Sequence, residues 1–353
     1  MSKMLEEIRQ QPAALERTLR AGVGGVERLR RFLARRRPKL IVLAARGTSD
    51  NAAQFGRYLI EITTGIPVSL AAPSILTLYQ AQVDLAGALV VAISQSGEST
   101  DTNYVLERAR AMGAMTVGIT NESESSLAKL AGHVLHVRAG HEKSLAATKT
   151  YTGQLLAIYL MAYALGARID LDDLRKMPEW AAAALRLEPG IGERAERYRF
   201  MDHAVVVGRG LNYSNAFEFA LKMMETCYIV AERFSSADFL HGPIAMVEAS
   251  FPVFLFAPAG VTWPAIQGML VKLDALKAET LVITDRGNPH AAASSQRSIR
   301  IPLRCPRRSG LPDDLFTPIP YIIPAQLFAA HLAEQKGLDP DHPRTLRKVT
   351  RTL

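Results

Sequence analysis

Ala88-Leu89-Val90-Val91-Ala92-Ile93-Ser94-Gln95-Ser96-Gly97-Glu98-Ser99-Thr100 passes from an unbroken apolar run into a hydroxyl-rich turn, and a helix-like run from Asp101 to Ala114 follows. The stretch reads as a strand, a turn and a helix start. A helix N-terminus leaves backbone N–H groups unpaired and carries partial positive charge, so an anion placed there is held by dipole and hydrogen bonds together. Three serines and a threonine add hydroxyl donors, and Gly97 lets the backbone come close to a ligand. The bland alternative is an ordinary capped helix start, since Ser and Thr are preferred N-caps. Four hydroxyls and a glycine in seven residues exceed what capping requires, and the turn reads as a phosphate cradle. It lacks the Gly-Lys-Ser/Thr ending of a nucleotide-binding P-loop.

Working outward, the same alternation recurs. Upstream, residues 1–37 read as helical, with Pro12 early in the run and Pro38 closing it. Lys39 to Ala45 is an apolar strand, Arg46-Gly47-Thr48-Ser49-Asp50 a polar turn, Asn51 to Thr63 a helix, and Val68 to Ala71 a short strand before a helix through Tyr79. Downstream, Met115 to Thr120 is a strand, Ser125 to Leu130 a short helix and Val134 to Val137 another strand. Strands alternating with helices imply βαβ units, a parallel sheet and helices on both faces.

The second half repeats this pattern. Asn51 to Glu61 aligns without gaps on Asn215 to Glu225, an offset of 164, and the same offset lays Thr116-Val117-Gly118-Ile119-Thr120-Asn121 on Thr280-Leu281-Val282-Ile283-Thr284-Asp285. Arg46-Gly47 matches Arg209-Gly210 with one residue of slippage. Two copies of one α/β unit follow, joined by the helical stretch Thr150 to Arg199. The cradle itself is not duplicated: its counterpart, Pro258-Ala259-Gly260-Val261-Thr262-Trp263, has lost nearly all its hydroxyls.

The 353 residues suffice for two domains, and 48% apolar with 22% charged residues fits a globular chain. Part of the net charge of +8 is local, at Arg28, Arg30, Arg31, Arg35, Arg36, Arg37 and Lys39. Without interleaved aromatics or a helix-turn-helix pattern, this block reads as the solvated face of an amphipathic helix with Leu29, Phe32 and Leu33 inward, not as a nucleic-acid grip. Two cysteines, Cys227 and Cys305, exclude a disulfide scaffold and fit a reducing, cytoplasmic setting; no zinc spacing exists and no signal-peptide core opens the chain. Eighteen uncharged residues lie between Lys149 and Arg168, but with Thr150, Thr152, Gln154, Tyr159 and Tyr163 among them they predict a buried helix and no membrane partner.

In the second copy, Glu218, Lys222 and Glu225 fall at i, i+4 and i+7 of an otherwise apolar helix, on one face. The spacing fits a solvent-facing stripe and a buried, functional set equally well. His241 sits at a Gly242-Pro243 turn, where a loop can present it to a cleft, and His and Glu are natural proton carriers at neutral pH.

Taken in order, Arg46-Gly47-Thr48-Ser49, Ser94-Gln95-Ser96-Gly97-Glu98-Ser99, Ala146-Ala147-Thr148-Lys149, Glu218 to Glu225, His241-Gly242-Pro243, Pro320-Tyr321 to Gln326 and Pro343-Arg344 to Lys348 resemble the sugar isomerase (SIS) family in its double-domain form. The likeness covers nearly the whole chain from about Pro38 on and looks most like the isomerase half of glucosamine-6-phosphate synthases. It implies two flavodoxin-like αβα units, each with a parallel sheet: a helical segment over 1–37, a first SIS domain over 38–166, a helical linker over 167–199, a second SIS domain over 200–342 and a tail, 343–353, that reaches the active site.

By the same resemblance, Thr48, Ser49, Ser94, Gln95, Ser96 and Ser99 hold the phosphate of a hexose phosphate or amino-sugar phosphate. Glu225 is the base that moves a proton between C1 and C2, with Glu218 and Lys222 beside it. His241 opens the sugar ring and comes from the neighbouring subunit of a homodimer, and Lys348 engages the ketose carbonyl. Ala147 stands where the family's substrate loop has a serine, and the tail ends Val349-Thr350-Arg351-Thr352-Leu353 in place of an acidic ending. No metal or cofactor is expected, because enediol proton transfer needs none.

The chain begins Met1-Ser2-Lys3 and has no cysteine before Cys227, so the resemblance implies isomerase chemistry without the synthase's glutaminase part. The expected activity is that of SIS-type glucosamine-6-phosphate deaminases, giving fructose 6-phosphate and ammonia. A fructosamine-6-phosphate deglycase and a synthase homologue without the glutaminase are the enzymatic alternatives; a sugar-phosphate sensor is the non-enzymatic one.

Overall fold

The computed structural model describes residues 2–34 and 36–346. Two helices open the chain, α1 (Lys3–Arg9) and α2 (Gln11–Ala34). The first α/β run is β1 (Ile41–Ala44), α3 (Thr48–Thr64), β2 (Val68–Leu70), α4 (Ser74–Thr77), β3 (Leu89–Ile93), α5 (Thr100–Ala111), β4 (Met115–Thr120), α6 (Ser126–Leu130), β5 (His133–His136) and α7 (Lys149–Ala164). The helices α8 (Leu171–Leu174), α9 (Met177–Leu185) and α10 (Glu188–Glu196) come next. The second run is β6 (His203–Gly208), α11 (Tyr213–Cys227), β7 (Val230–Ser235), α12 (Ser236–Leu240), β8 (Pro252–Phe256), α13 (Trp263–Ala275), β9 (Glu279–Asp285), α14 (Pro289–Ala293), β10 (Arg297–Ile301) and α15 (Pro318–Gln335).

Both sheets have five strands and every pairing is parallel, in the orders β2-β1-β3-β4-β5 and β10-β9-β8-β6-β7. Read from β7, the second order repeats the first, as the offset predicts: Met115 opens β4 and Glu279, 164 residues on, opens β9. The chain divides into two compact units. The first holds Ala13–Glu142 and Lys149–Lys176 with sheet β1–β5; the second holds residues 2–12, Lys143–Thr148 and Met177–Arg344 with sheet β6–β10.

Parallel sheets covered on both faces need strands that are apolar throughout. All residues of β3, β8 and β9 are buried accordingly. In the first unit Val90 and Ala92 pack with Val105, Leu106, Ala109 and Leu127 from α5 and α6. In the second, Val205, Val207, Val253 and Leu255 pack with Ile266, Met269, Leu270 and Leu273 of α13. The opposite layers repeat too: Phe55 of α3 meets Tyr159 of α7 with ring centroids 5.0 Å apart, and Phe219 of α11 meets Phe328 of α15 at 5.8 Å. At these distances aromatic pairs contribute about 0.5–1.5 kcal/mol beyond their burial.

The uncharged run after Lys149 is the buried helix α7, in which only Tyr163 escapes full burial. Among the described residues no helix is long and apolar enough to cross a membrane. On α2, Leu29 and Leu33 are buried and Phe32 half-buried, while Arg28, Arg30 and Arg31 are exposed, so the basic block is a solvated face up to that point. One boundary differs in a way that matters. Thr48 and Ser49 are not in a turn before the helix but form the first turn of α3, because Gly47, at φ 56°, makes the bend in a single residue.

Candidate active site

In an open sheet of this strand order the chain turns to opposite sides after β1 and β3, which leaves a crevice outside their carboxyl ends. In the first unit that crevice is bordered by the start of α3, with Thr48 and Ser49, and by the loop Ser94–Ser99 ahead of α5. An ion pair ties the two borders: Arg46 Nε donates to Asp101 Oδ2 at 2.5 Å. Burial pushes the Asp101 carboxyl up, but the Arg46 guanidinium and the Ser99 hydroxyl outweigh it and hold the group below its ordinary value.

The loop is shaped by its own hydroxyls. Ser94 Oγ accepts from the Gly97 N–H at 3.1 Å and Ser96 Oγ from the Glu98 N–H at 3.2 Å, while the Gln95 carbonyl accepts from the Asn121 N–H at 3.1 Å. Gly97 is at φ 68°, and a Cβ there would lie 2.1 Å from Ser125 Oγ, so only glycine fits. Ser99 holds the N-cap position of α5, yet its hydroxyl makes no cap bond. It donates to Asp101 Oδ1 at 2.9 Å and pairs with Thr102 Oγ1 at 3.0 Å. The ordinary-cap alternative therefore loses its central contact.

The cradle has a support that local sequence does not reveal. Gln154 Nε2 donates to Ser49 Oγ at 2.9 Å, reaching from α7 to the first turn of α3 over 105 positions. The available signal was Gln154 as the one amide within the uncharged run that follows Lys149.

In the second unit the charged trio on α11 resolves in favour of burial. Glu218 and Lys222 have fully buried side chains, and Glu225 is 22% exposed. Lys222 Nζ lies 3.3 Å from Glu218 Oε1 and donates to Glu225 Oε2 at 2.7 Å. Burial works to lower the lysine, but the two carboxylates prevail and hold its ammonium above the ordinary lysine range. The arrangement is a buried cation between two carboxylates, only one of which faces outward.

Three residues past Glu225, Tyr228 ends α11 in the left-handed conformation, φ 55°, and receives the start of the tail: the Arg344 N–H donates to Tyr228 Oη at 2.9 Å and the guanidinium stacks 4.5 Å from the ring centroid. Lys348 lies outside the described residues. His241 caps the end of α12 and is exposed. Ala147 is half-buried in the 143–148 segment. Tyr228 gave no sequence signal.

The SIS domain profile matches residues 36–164 and again 199–333, three quarters of the chain. The chain belongs to the SIS domain family. Its two SIS units are the two sheets described above. Over 352 residues this SIS chain is 34% identical to the glutamine–fructose-6-phosphate aminotransferase (isomerizing) of Pyrococcus horikoshii, and it is 35% identical over 361 residues to that of Gloeobacter violaceus. Each match covers 98% of this chain but 57% and 58% of those relatives, so the chain spans under two thirds of their length. Among solved structures, the C-terminal domain of glucosamine-fructose-6-phosphate aminotransferase from Francisella tularensis superposes with a TM-score of 0.87 at 28% identity, covering 97% of this chain and 98% of that one. A phosphosugar isomerase structure from Silicibacter pomeroyi does so at 0.84 and 31%, covering 97% and 100%.

Proposed function

We propose that this SIS chain is an aldose–ketose isomerase of phosphorylated amino sugars that converts glucosamine 6-phosphate and water to fructose 6-phosphate and ammonia. The observation that carries the reading is the buried Glu218–Lys222–Glu225 set, with a single carboxylate directed outward. A solvated stripe would not bury an ammonium; a base that must hold one orientation has reason to.

In the proposed reaction Ser94, Gln95, Ser96, Ser99, Thr48 and Ser49 anchor the phosphate, and Ala147 borders the sugar. His241, contributed by a second copy in a homodimer, protonates the ring oxygen to open the ring. Glu225 takes the proton from C2 of the open aldehyde and returns it to C1, so the enolamine becomes the ketose imine. Lys348 engages the carbonyl end. Water then adds to the imine carbon and ammonia leaves, which balances the reaction. Free ammonia is dilute in water, and mass action favours release over capture. The relatives' names, aminotransferases and phosphosugar isomerases, support the substrate class.

The test is ammonia release from glucosamine 6-phosphate by the purified chain. A positioned general base contributes about 10²–10⁴-fold, so Glu225→Gln should lower kcat by at least about 100-fold with little change in KM. Absence of release, with tight binding of the sugar phosphate, would point to a sensor instead. One second reading is a deglycase acting on a fructosamine 6-phosphate, which would use the same anchor and the same proton chemistry, and a panel of the two sugars separates them.

A further inference from the structure

The segment 143–148 carries the Ala146-Ala147-Thr148 part of the family motif; its start is held by α1 and its end by Gln326 of α15, which is itself bonded to the first residue of α2. Glu7 has a buried side chain, and both of its carboxylate oxygens accept backbone N–H groups from this segment: Lys143 N at 2.6 Å and Ser144 N at 3.0 Å. One helical turn on, Gln11 Nε2 donates to Gln326 Oε1 at 2.8 Å, and Gln326 Nε2 donates in turn to the Thr148 carbonyl at 3.4 Å. The start of α1 is fixed as well, since Asp341 accepts the N–H groups of Lys3 and Met4 at 2.6 and 2.9 Å and Glu334 accepts that of Ser2 at 3.1 Å.

A solvated N-terminal helix would need none of this. A buried carboxylate is retained where it satisfies donors that nothing else reaches, and two adjacent N–H groups converging on one carboxylate fix the peptide between them. We propose that Glu7 is a positioning residue of the active site: through its two hydrogen bonds it sets the conformation of 143–148 that the sugar requires, and α1 serves the reaction although it touches no reacting atom. The proposal rests on the reading above that Ala147 borders the sugar.

The isosteric variant Glu7→Gln keeps one neutral acceptor and sets its NH2 against the other N–H donor, and Glu7→Asp keeps the charge with a shorter reach. Glu6→Gln, on the exposed side of the same helix, is the control. Hydrogen exchange at the amides of Lys143 and Ser144 should accelerate at least about tenfold in Glu7→Gln, which corresponds to about 1.4 kcal/mol of lost protection, and less in Glu7→Asp. With glucosamine 6-phosphate, KM should rise about tenfold in Glu7→Gln with kcat changed less than about threefold, and Glu7→Asp should recover part of it.

Unchanged exchange at both amides in Glu7→Gln would overturn the proposal. So would faster exchange with wild-type KM and kcat, since the loop would then be free to move without the sugar noticing. If Glu7→Gln fails to fold, Glu7→Asp carries the same two readouts. If the wild-type chain turns over no sugar phosphate, the proposed reaction fails by itself, and exchange at the two amides with and without bound glucosamine 6-phosphate decides whether Glu7 holds a substrate-responsive segment.

Discussion

The two SIS units are built on one plan, and each has kept what the other has lost. On α3 the positions equivalent to Glu218, Lys222 and Glu225 are Gln54, Tyr58 and Glu61. Glu61 occupies the same register as Glu225, but with tyrosine three residues before it in place of lysine it has become structural, accepting the Val68 N–H at 2.8 Å at the start of β2. The crevices diverge in the opposite sense. A Cβ on Gly47 would meet nothing within 4 Å, whereas one on Gly210 would meet Thr262 Cγ2 at 3.0 Å and Asp314 Oδ2 at 3.8 Å. The second crevice is filled from within: a carboxylate of the chain sits beside the turn that, in the first unit, is rich in hydroxyls. Under the proposed function, anion binding falls to the first unit and proton chemistry to the second.

The sharpest way to break this comparison is to remove the buried cation. Taking one partner out of a buried ion pair costs about 3–5 kcal/mol because the remaining charge stays desolvated. Lys222→Met is therefore expected to destabilise the protein by about that amount in urea unfolding, and Tyr58→Met at the equivalent position by less than about 1.5 kcal/mol. Equal costs would mean that α3 and α11 have not diverged in the way described.

A smaller effect, with a distinctive pH signature, tests the filled crevice. Burial pushes the Asp314 carboxyl up to about 6 from an ordinary 3.8, with a smaller upward push from Asp313. The folded protein thus holds this proton where the unfolded chain has released it. The contribution to stability is full below about pH 4, declines as pH rises, and is lost once pH passes about 6. Asp314→Asn should accordingly be more stable than wild type at pH 7, by about 1–3 kcal/mol, with the difference vanishing near pH 4. In the first crevice Asp101 has the opposite sense, because Arg46 holds it ionised, and its contribution disappears as pH falls below the ordinary carboxylate range. A thermal melt series from about pH 2.5 to 7 on both Asp→Asn variants would show whether the slopes oppose, the Asp101 slope falling below about pH 4 and the Asp314 slope above it.

Most of the fold was legible because it is written in local pattern: a continuous apolar strand at β3, further short strands punctuated by polar turns, and a repeat with a constant offset. Strand ends moved by a residue or two where exposed residues such as Lys39 and Leu40 flank a buried core. The candidate site was legible only as a set of residue types. Periodicity placed Glu218, Lys222 and Glu225 on one face but could not say whether that face is buried, since this depends on tertiary packing and not on local spacing. The supports were invisible for the same reason. Gln154 to Ser49 spans 105 positions and Glu7 to Lys143 spans 136, and no local spacing encodes either. The filling of the second crevice likewise comes from Asp314, 52 positions beyond Thr262.

The finest distinction between the crevices lies in single hydroxyls. Ser99 Oγ now donates to Asp101, so to serve a phosphate it must turn away and leave Asp101 with Arg46 and the Thr102 N–H. The net gain is then that of one neutral hydrogen bond exchanged for another, about 0.5–1.5 kcal/mol, and Ser99→Ala should weaken inorganic phosphate binding by only about 2–13-fold. Arg46 is half exposed, so solvent screens it and it does not amplify the loss. Thr262 in the second unit also carries a hydroxyl, but it faces Asp314 at 3.5 Å. Thr262→Val should leave phosphate affinity unchanged and alter only stability. A phosphate titration in which both variants lost affinity alike would mean that the two crevices still share the task; loss confined to Ser99→Ala would leave the anion with the first unit alone.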